Sequence, residues 1–363
     1  MADLVFIVPG RPDQRTGGYL YDAHITQALR DQGVEVDVVG LPGAFPLPDA
    51  LAKQSLFDAL TQAPAHATVV VDGLALGGLG DVVERARAAR AQPCRVVALV
   101  HHPLADERGL PASDQRWLWQ QERQALRACD RVIVTSAFTA QRLIEQDYLT
   151  TAPSVVCPGV APAPLAAAAH DVAPRSECWL CVASLTPRKG HEVLLRALDR
   201  VRDRSWVSPW VGDAGRDRAH ANTLKASIER LGLGERIPWL GELDDAALAA
   251  RYHQASLCVL PSYYEGFGMV VTEALARGLP VITTDGGALP QTLPDGAGLI
   301  VPAGDAAALA EALGQWLDDG ALRQRLMRGA LEARSGLASW AKAGERFIDA
   351  LGLSTLNPKA REL

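Results

Sequence analysis

The chain has 363 residues, 48% of them hydrophobic and 21% charged, with a formal net charge of −6. That length exceeds what one core usually serves, since single cores stop growing near ~250–300 residues, so two domains are expected. The acidic balance lacks the basic footprint of a nucleic-acid binder, and no apolar run approaches the ~18–20 residues of a membrane span.

The N-terminus runs from Met1-Ala2-Asp3 straight into apolar residues, without the basic start and long apolar region of a signal peptide, so a cytoplasmic location is expected. Six scattered cysteines (94, 129, 157, 178, 181 and 258) read as reduced, buried thiols. Cys178-Trp-Leu-Cys181 has CxxC spacing but lies in a strand-like run with no second pair, which argues against zinc or redox chemistry.

Leu4 to Val8 reads as a buried strand. A polar loop ending in Thr16-Gly17-Gly18 follows, then a helical period from Tyr19 to Gln32 and a strand from Val34 to Val39. Gly17-Gly18 is a candidate phosphate cradle, because missing side chains let backbone amides approach an anion; a plain tight turn is the competing reading, and the pair is not a GxGxxG fingerprint. Ala67 to Val71 is a strand ending in Asp72-Gly73, and Val82 to Ala91 an Arg-rich helix. Arg95 to Val100 is a strand leading into His101-His102-Pro103, Trp117 to Cys129 a helix, and Arg131 to Thr135 a strand. Strands alternating with helices at this spacing predict a parallel sheet with right-handed crossovers.

Between Pro158 and Ser176 the composition turns to Ala and Pro, with prolines at 158, 162, 164 and 174, which makes a semi-rigid hinge. The first domain is therefore placed at 1–165 and a second at 166–338. Strands are predicted at Trp179 to Ser184, Trp206 to Val211, Ile237 to Leu240 and Leu257 to Leu260. Helices are predicted at His191 to Val201, Ala219 to Leu231 and Asp244 to His253, the last with an acidic first turn that suits its dipole. Two α/β domains in tandem predict a cleft between them as the small-molecule site.

The most informative stretch is Pro261-Ser-Tyr-Tyr-Glu265-Gly-Phe-Gly-Met-Val-Val-Thr-Glu273. Gly266 and Gly268 break the preceding strand, Met269 to Ala276 reads as a helix, and Pro280 to Thr283 as the next strand. Such a strand–turn–helix–strand unit places a ligand at the carboxyl ends of parallel strands. Glu265 and Glu273 resemble the spacing of a glycosidase pair. However, each lies beside a glycine turn or near a helix start, where a raised pKa is not expected. As ionised acceptors they suit hydroxyl-rich ligands, one for a sugar and one for a ribose diol. Arg188-Lys189-Gly190 opens a helix just past a strand, where two cations suit a diphosphate; a solvated basic turn is the alternative.

His101 and His102 end a strand, where a satisfied core histidine is the competing reading; successive strand residues point opposite ways, so at least one of them is expected to face the site. No His/Cys/Asp constellation with metal-ligand spacing accompanies them, and no protein-bound metal or other cofactor is expected. The basic run of Arg85, Arg87, Arg90 and Arg95 reads as a solvated helix face, with peripheral membrane contact the less favoured reading. Trp117 and Trp119 fall near the predicted site, one to stack on an acceptor and one for the core.

The stretch SYYEGFGMVVTEALARGLPVITT, with its Glu265-x7-Glu273 spacing, resembles the signature of the family 4 retaining glycosyltransferases of the GT-B fold. VASLTPRKGHEVLLRAL (182–198), VGDAG (211–215) and the segment 239–262 are similar to the family's donor-binding regions. The Gly17-Gly18 loop, VALVHHP (97–103) and VIVTSAFTAQRLIE (132–145) fit its acceptor domain. The resemblance implies two Rossmann-like domains facing each other across a cleft, with a last helix in 339–363, around Trp340 to Leu351, crossing back to the first domain.

Carried over, Glu265 matches the glutamate that holds the donor sugar's hydroxyls, and Gly266, Phe267 and Gly268 the backbone contacts to that sugar. Glu273 matches the ribose ligand, Lys189 the diphosphate lysine, and His101 the active-site histidine near the reacting centre. Gly17, Gly18, Arg188 and Asp213 complete the implied donor site; His102, Arg108, Trp117 and Trp119 are acceptor candidates. Where the family commonly has an arginine after the first strand of its second domain, this chain has Ser184, and Arg188 is the candidate replacement. The implied reaction is metal-independent transfer of a sugar from a UDP- or GDP-sugar to an unidentified acceptor. The anomeric configuration is retained by front-face attack, with the departing diphosphate assisting deprotonation. The cations and amides suit a leaving diphosphate, no nucleophile–base pair is evident, and domain closure would limit hydrolysis. A nucleotide-sugar epimerase and a non-catalytic sugar-binding protein are the alternatives.

Overall fold

The computed structural model describes residues 4–92, 94–169 and 177–353. Residues 170–176 of the expected hinge and 354–363 of the expected C-terminal segment lie outside the described residues. Two compact units are present, Met1–Gly159 with Ala338–Leu363, and Val160–Leu337.

The first unit contains β1 (Leu4–Pro9), α1 (Gly17–Asp31), β2 (Val36–Leu41), α2 (Ala50–Gln62), β3 (Thr68–Asp72), α3 (Gly73–Leu76) and α4 (Val82–Ala88). It continues with β4 (Arg95–Val100), α5 (Ala112–Ala128), β5 (Arg131–Val134), α6 (Ala137–Glu145) and β6 (Ser154–Val155). The second contains β7 (Trp179–Val182), α7 (His191–Arg200), β8 (Trp210–Val211), α8 (Arg218–Arg230), α9 (Asp245–Gln254), β9 (Leu257–Leu260) and α10 (Met269–Leu275). After these come β10 (Val281–Thr284), α11 (Leu289–Thr292), β11 (Gly298–Val301), α12 (Ala306–Asp318) and α13 (Gly320–Arg334), while α14 (Trp340–Leu351) belongs to the first unit.

The first sheet has the order β2-β1-β3-β4-β5-β6, with every pairing parallel. β1 and β3 are buried along their whole length, which explains their unbroken apolar runs. Because the strands are parallel, β3 delivers Asp72 and β4 delivers His101 to one edge of the sheet, where α1 begins after β1. α14 packs on α1, where Gly344 allows close approach: a Cβ there would stand 3.0 Å from Ala28 Cβ. Trp340 at its start stacks on His24, with ring centroids 4.6 Å apart.

The second sheet has the order β11-β10-β9-β7-β8, again parallel. Its buried carboxylate, Glu177, accepts hydrogen bonds from Trp316 Nε1 (2.8 Å), Ser256 Oγ (2.9 Å), Arg323 (3.2 Å) and Trp179 Nε1 (3.3 Å). Burying such a group is tolerated because its lone pairs are met.

Several elements depart from the sequence-based expectation. Ala50–Gln62 is a helix, capped by Asp49 accepting from Ala52 N at 2.7 Å, in a stretch to which no element is assigned above. The strand expected over Trp206 to Val211 shortens to two residues, and Ile237 to Leu240 forms only the isolated bridge Trp210↔Trp239. Pro209 and Pro238 have no N–H to donate, so the ladder cannot run through either segment. The basic run on and just after α4 does structural work: Arg87 pairs with Asp130 at 2.6 Å, and Arg90, past the helix end, donates to the carbonyls of Leu60, Thr61 and Ala63. All six cysteines are free thiols. Among the described residues no helix is long and apolar enough to cross a membrane.

Candidate functional site

In the second unit the chain leaves β7, turns through Pro187-Arg188-Lys189, and enters α7 at Gly190, whose φ is +69°. A Cβ on Gly190 would lie 2.2 Å from the Pro261 carbonyl oxygen, so only glycine lets this turn meet the loop that follows β9. Backbone bonds secure that contact. Tyr263 N donates to Arg188 O at 2.8 Å, and Arg188 Nη1 donates to Tyr264 O at 2.7 Å. On the other side Ala288 N donates to Glu265 O at 2.8 Å.

Glu265 is thereby held among three donors. Lys189 Nζ lies 2.6 and 2.9 Å from its two oxygens, Ser262 Oγ 2.6 Å from Oε1, and Arg188 Nη1 3.4 Å from Oε2. Burial opposes ionisation here, but the Lys189 and Arg188 charges and the Lys189 and Ser262 hydrogen bonds outweigh it and hold the carboxyl at about 2. Glu265 is thus an anion and a pure acceptor, as its setting in sequence predicts. Arg188, which stands four residues beyond Ser184, directs its guanidinium to the same carboxylate.

Glu273 differs from that expectation. It sits on α10 with Oε2 accepting from the Tyr252 phenol Oη–H at 2.9 Å, and burial raises its pKa although Tyr252 and Arg277 oppose the shift. The helix start expected to stabilise the anion does not offset the desolvation. Gly268, with φ +92°, starts α10, and Thr292 Oγ1 donates to Phe267 O at 2.6 Å, which ties down the Gly266-Phe267-Gly268 turn. Asp213 follows β8, where its Oδ1 accepts from Gly215 N at 2.7 Å.

The first unit gathers Gly17, Gly18 and His101. α1 begins at Gly17, two residues earlier than expected, so both glycines lie in its first turn. A Cβ on Gly18 would stand 3.2 Å from His101 Cδ2, so the helix start backs onto the imidazole. His101 Nε2 lies 3.1 Å from Asp22 Oδ1 and 3.2 Å from Asp72 Oδ2. Burial disfavours the imidazolium, but the Asp22 charge and the hydrogen bonds to both carboxylates raise the pKa to about 10. Asp22 is pushed up to about 7 by burial and by the neighbouring Asp72 charge, whereas the hydrogen bond with His101 helps hold Asp72 down against its own burial.

Among the described residues this is the one grouping of three metal-ligating side chains, with ligand atoms within 4.8 Å of one another. Sequence spacing gave no sign of it, since the three residues stand 29 or more positions apart and meet only because α1, β3 and β4 converge on one sheet edge. His101 Nε2 is met by Asp22 Oδ1 and Asp72 Oδ2, whereas Asp22 Oδ2 is buried without a hydrogen-bond partner.

Of the acceptor candidates, His102 Nε2 lies 3.3 Å from Glu107 Oε2, and Arg108 is exposed on the same loop. Trp117 is exposed on α5, whereas Trp119 turns to the end of α6, donating to Gln146 O at 2.9 Å and packing edge-on to Tyr148. Glu122, also on α5 and fully buried, was not singled out by the sequence. Its Oε2 accepts from Leu104 N at 3.0 Å, and burial raises its pKa to about 8 despite that bond. Asp22, Tyr252 and Ser262 were likewise missed; Asp72 carried a signal only as the polar end of an apolar strand.

The two parallel-sheet units, with the last helix returned to the first, define the GT-B fold. Solved structures share it: the sucrose-phosphate synthase of Thermosynechococcus elongatus superposes with a TM-score of 0.78 at 24% identity over 97% of both chains. The Anabaena protein HepE, solved with UDP and glucose, gives 0.76 at 19% identity, covering 97% of this chain and all of that one. The family model described as Glycosyl transferases group 1 matches residues 167–332, and that of Glycosyltransferase Family 4 matches residues 79–163. The chain belongs to the family 4 glycosyltransferases. It is 32% identical over 248 residues to the D-inositol 3-phosphate glycosyltransferase of Nocardia farcinica, a match covering 63% of this chain and 53% of that protein. To the phosphatidyl-myo-inositol mannosyltransferase of Mycobacterium leprae it is 40% identical over 153 residues, covering 40% and 38% respectively. The chain thus spans about half or less of the length of these curated relatives.

Proposed function

We propose that this chain is a retaining glycosyltransferase that moves a sugar from a UDP- or GDP-sugar to an acceptor hydroxyl without a metal. The observation that carries the proposal is the cluster of Lys189, Arg188 and ionised Glu265 after β7 and β9. Cations fixed beside an anionic acceptor suit a ligand that brings phosphate charge and sugar hydroxyls together. In this reading Lys189 and Arg188 bind the diphosphate and stabilise it as it leaves. Glu265 and the Gly266–Gly268 turn hold the sugar, Glu273 holds the ribose, and Gly17, Gly18 and Asp213 complete the donor contacts. His101 contacts the sugar near the reacting centre, and the departing diphosphate takes up the acceptor proton. His102, Arg108, Trp117 and Trp119 are the residues offered to the acceptor.

The test is incubation of the full chain with a panel of UDP- and GDP-sugars, with and without EDTA, following released nucleotide and the product's anomeric configuration. Inositol phosphates are the first acceptors to try, because they appear in the names of the relatives. Slow nucleotide release that EDTA leaves unchanged, and a retained anomeric centre with acceptor, is the expected result. Epimer formation, or sugar binding without any turnover, would replace this reading.

A further inference from the structure

The Asp22–His101–Asp72 cluster has no assigned purpose in the reading above, which accounts for His101 alone. Three features bear on it. First, Nε2 of His101 faces two carboxylates from two different elements, Asp22 on α1 at 3.1 Å and Asp72 at the end of β3 at 3.2 Å. Carboxylates are acceptors, so Nε2 carries a hydrogen and is committed to them. Second, Nδ1 has no hydrogen-bond partner among the described residues and is not sealed from solvent, the side chain keeping 19% exposure. Third, the remainder of the residue is immobilised: Thr135 Oγ1 donates to its carbonyl at 3.3 Å, the Tyr21 ring meets its imidazole edge-on at 5.3 Å, and Gly18 backs its Cδ2.

We propose that Asp22 and Asp72 are positioning residues that keep His101 an imidazolium, so that its free Nδ1–H meets the ligand as a hydrogen-bond donor and never as a base. The proposal rests on the functional reading above only for the identity of that ligand, an oxygen of the donor sugar or its diphosphate. Two acids share one imidazole, so the charged ring is stabilised even when one acid is protonated. Asp22 is the member that takes the proton, because its Oδ2 is buried without a partner and its ionised form is poorly compensated. Tyr21 on α1, which packs on the ring, has its phenol pushed well above its ordinary range by burial and stays neutral, and Thr135 and Thr139 bring only hydroxyls, to the His101 carbonyl. The wild-type imidazolium therefore persists through neutral pH and is lost only as pH rises toward about 10.

The decisive measurement is the 15N chemical shift of both His101 ring nitrogens in the full chain across pH 6 to 10, with donor-dependent turnover followed over the same range. Both nitrogens are expected to be protonated at neutral pH. Asp72→Asn is expected to lower the midpoint by about one to three units, so that its kcat/KM falls with rising pH where the wild type stays level, and Asp72→Glu is expected to restore the profile. A neutral His101 at pH 7 in the wild type, or an unchanged midpoint in Asp72→Asn, would overturn the proposal. So would stabilisation by Mg2+ or Mn2+ alone that Asp72→Asn abolishes, since the same atoms would then be metal ligands. Because the wild-type NMR titration requires neither a variant nor a substrate, a protonated ring in a chain that turns over no nucleotide sugar would count against the functional reading and leave the clamp standing.

Discussion

Lys189 Nζ lies 2.6 Å from Glu265 Oε1, and this ion pair joins the turn that opens α7 to the turn that precedes α10. The two residues stand 76 positions apart in the chain, and both side chains are largely buried. Removing one partner would leave a buried charge poorly compensated, which is the costly outcome for such a pair. Lys189→Met should therefore raise the Glu265 pKa and lower turnover at least ~100-fold, on the scale of losing one preorganised charge-stabilising group. Far-UV circular dichroism and steady-state kinetics check this together; a folded variant with the wild-type rate would contradict it. Arg188 and Ser262 still contact Glu265 in that variant, so the fold is expected to survive.

Glu273 and Tyr252 form the second prediction. The Tyr252 phenol donates to Glu273 Oε2 at 2.9 Å, and that bond works against the burial that raises the carboxyl's pKa. Tyr252→Phe should raise it further and weaken nucleotide binding most at low pH, where the carboxyl is protonated. Glu273→Ala should weaken binding at every pH. Calorimetric titration with UDP and GDP at several pH values reads both effects, and unchanged affinity in Glu273→Ala would remove Glu273 from the ribose role.

Glu122 predicts a pH dependence of stability. Its folded pKa of about 8 lies above the ordinary carboxyl value because the group is buried, so the folded state holds a proton that the unfolded chain releases. Stability from this group is fully present below the unfolded pKa and is lost as pH rises toward about 8, at about 1.4 kcal/mol for each unit. Glu122→Gln keeps an oxygen to accept from Leu104 N and has nothing to ionise. It should match the wild type near pH 5 and melt higher than the wild type at pH 9. Thermal unfolding at the two pH values tests this, and parallel melting curves at both would refute it.

Gly190→Ala should destabilise the second unit. The residue has φ +69°, which costs an alanine roughly 1–2 kcal/mol, and its Cβ would stand 2.2 Å from the Pro261 oxygen. The turn must then shift away from the Glu265 loop. A lowered melting temperature with weakened donor binding is expected, and a variant equal to the wild type in both would show that the loop adapts.

Much of the candidate site in the second unit was legible in the chain. Periodicity and glycine placement located β1, β4, β9 and α10 nearly to the residue, because strands buried on both faces are continuous apolar runs and glycine breaks them sharply. Glu265, Arg188 and Lys189 stood out as charges in the turns that follow apolar strands, and Glu273 as a second carboxylate on the helix that the glycine turn opens. The interrupted β8 region was misread because two prolines inside apolar segments remove the donors that a ladder needs. The raised pKa of Glu273 could not be foreseen from a helix-start position, since desolvation depends on what packs over the side chain.

The sequence by itself determined the alternation of parallel strands and helices, the division into two α/β segments, and the residues at strand ends that can carry chemistry. These are local properties, written in spacing and residue type. Tertiary structure decided which of those residues meet. It paired Lys189 with Glu265, hung Tyr252 on Glu273, and set Asp22 and Asp72 on either side of His101 Nε2. The reason is that a parallel sheet collects side chains from distant segments at one edge, and their charge states follow from burial and from the neighbours found there, which no spacing along the chain specifies.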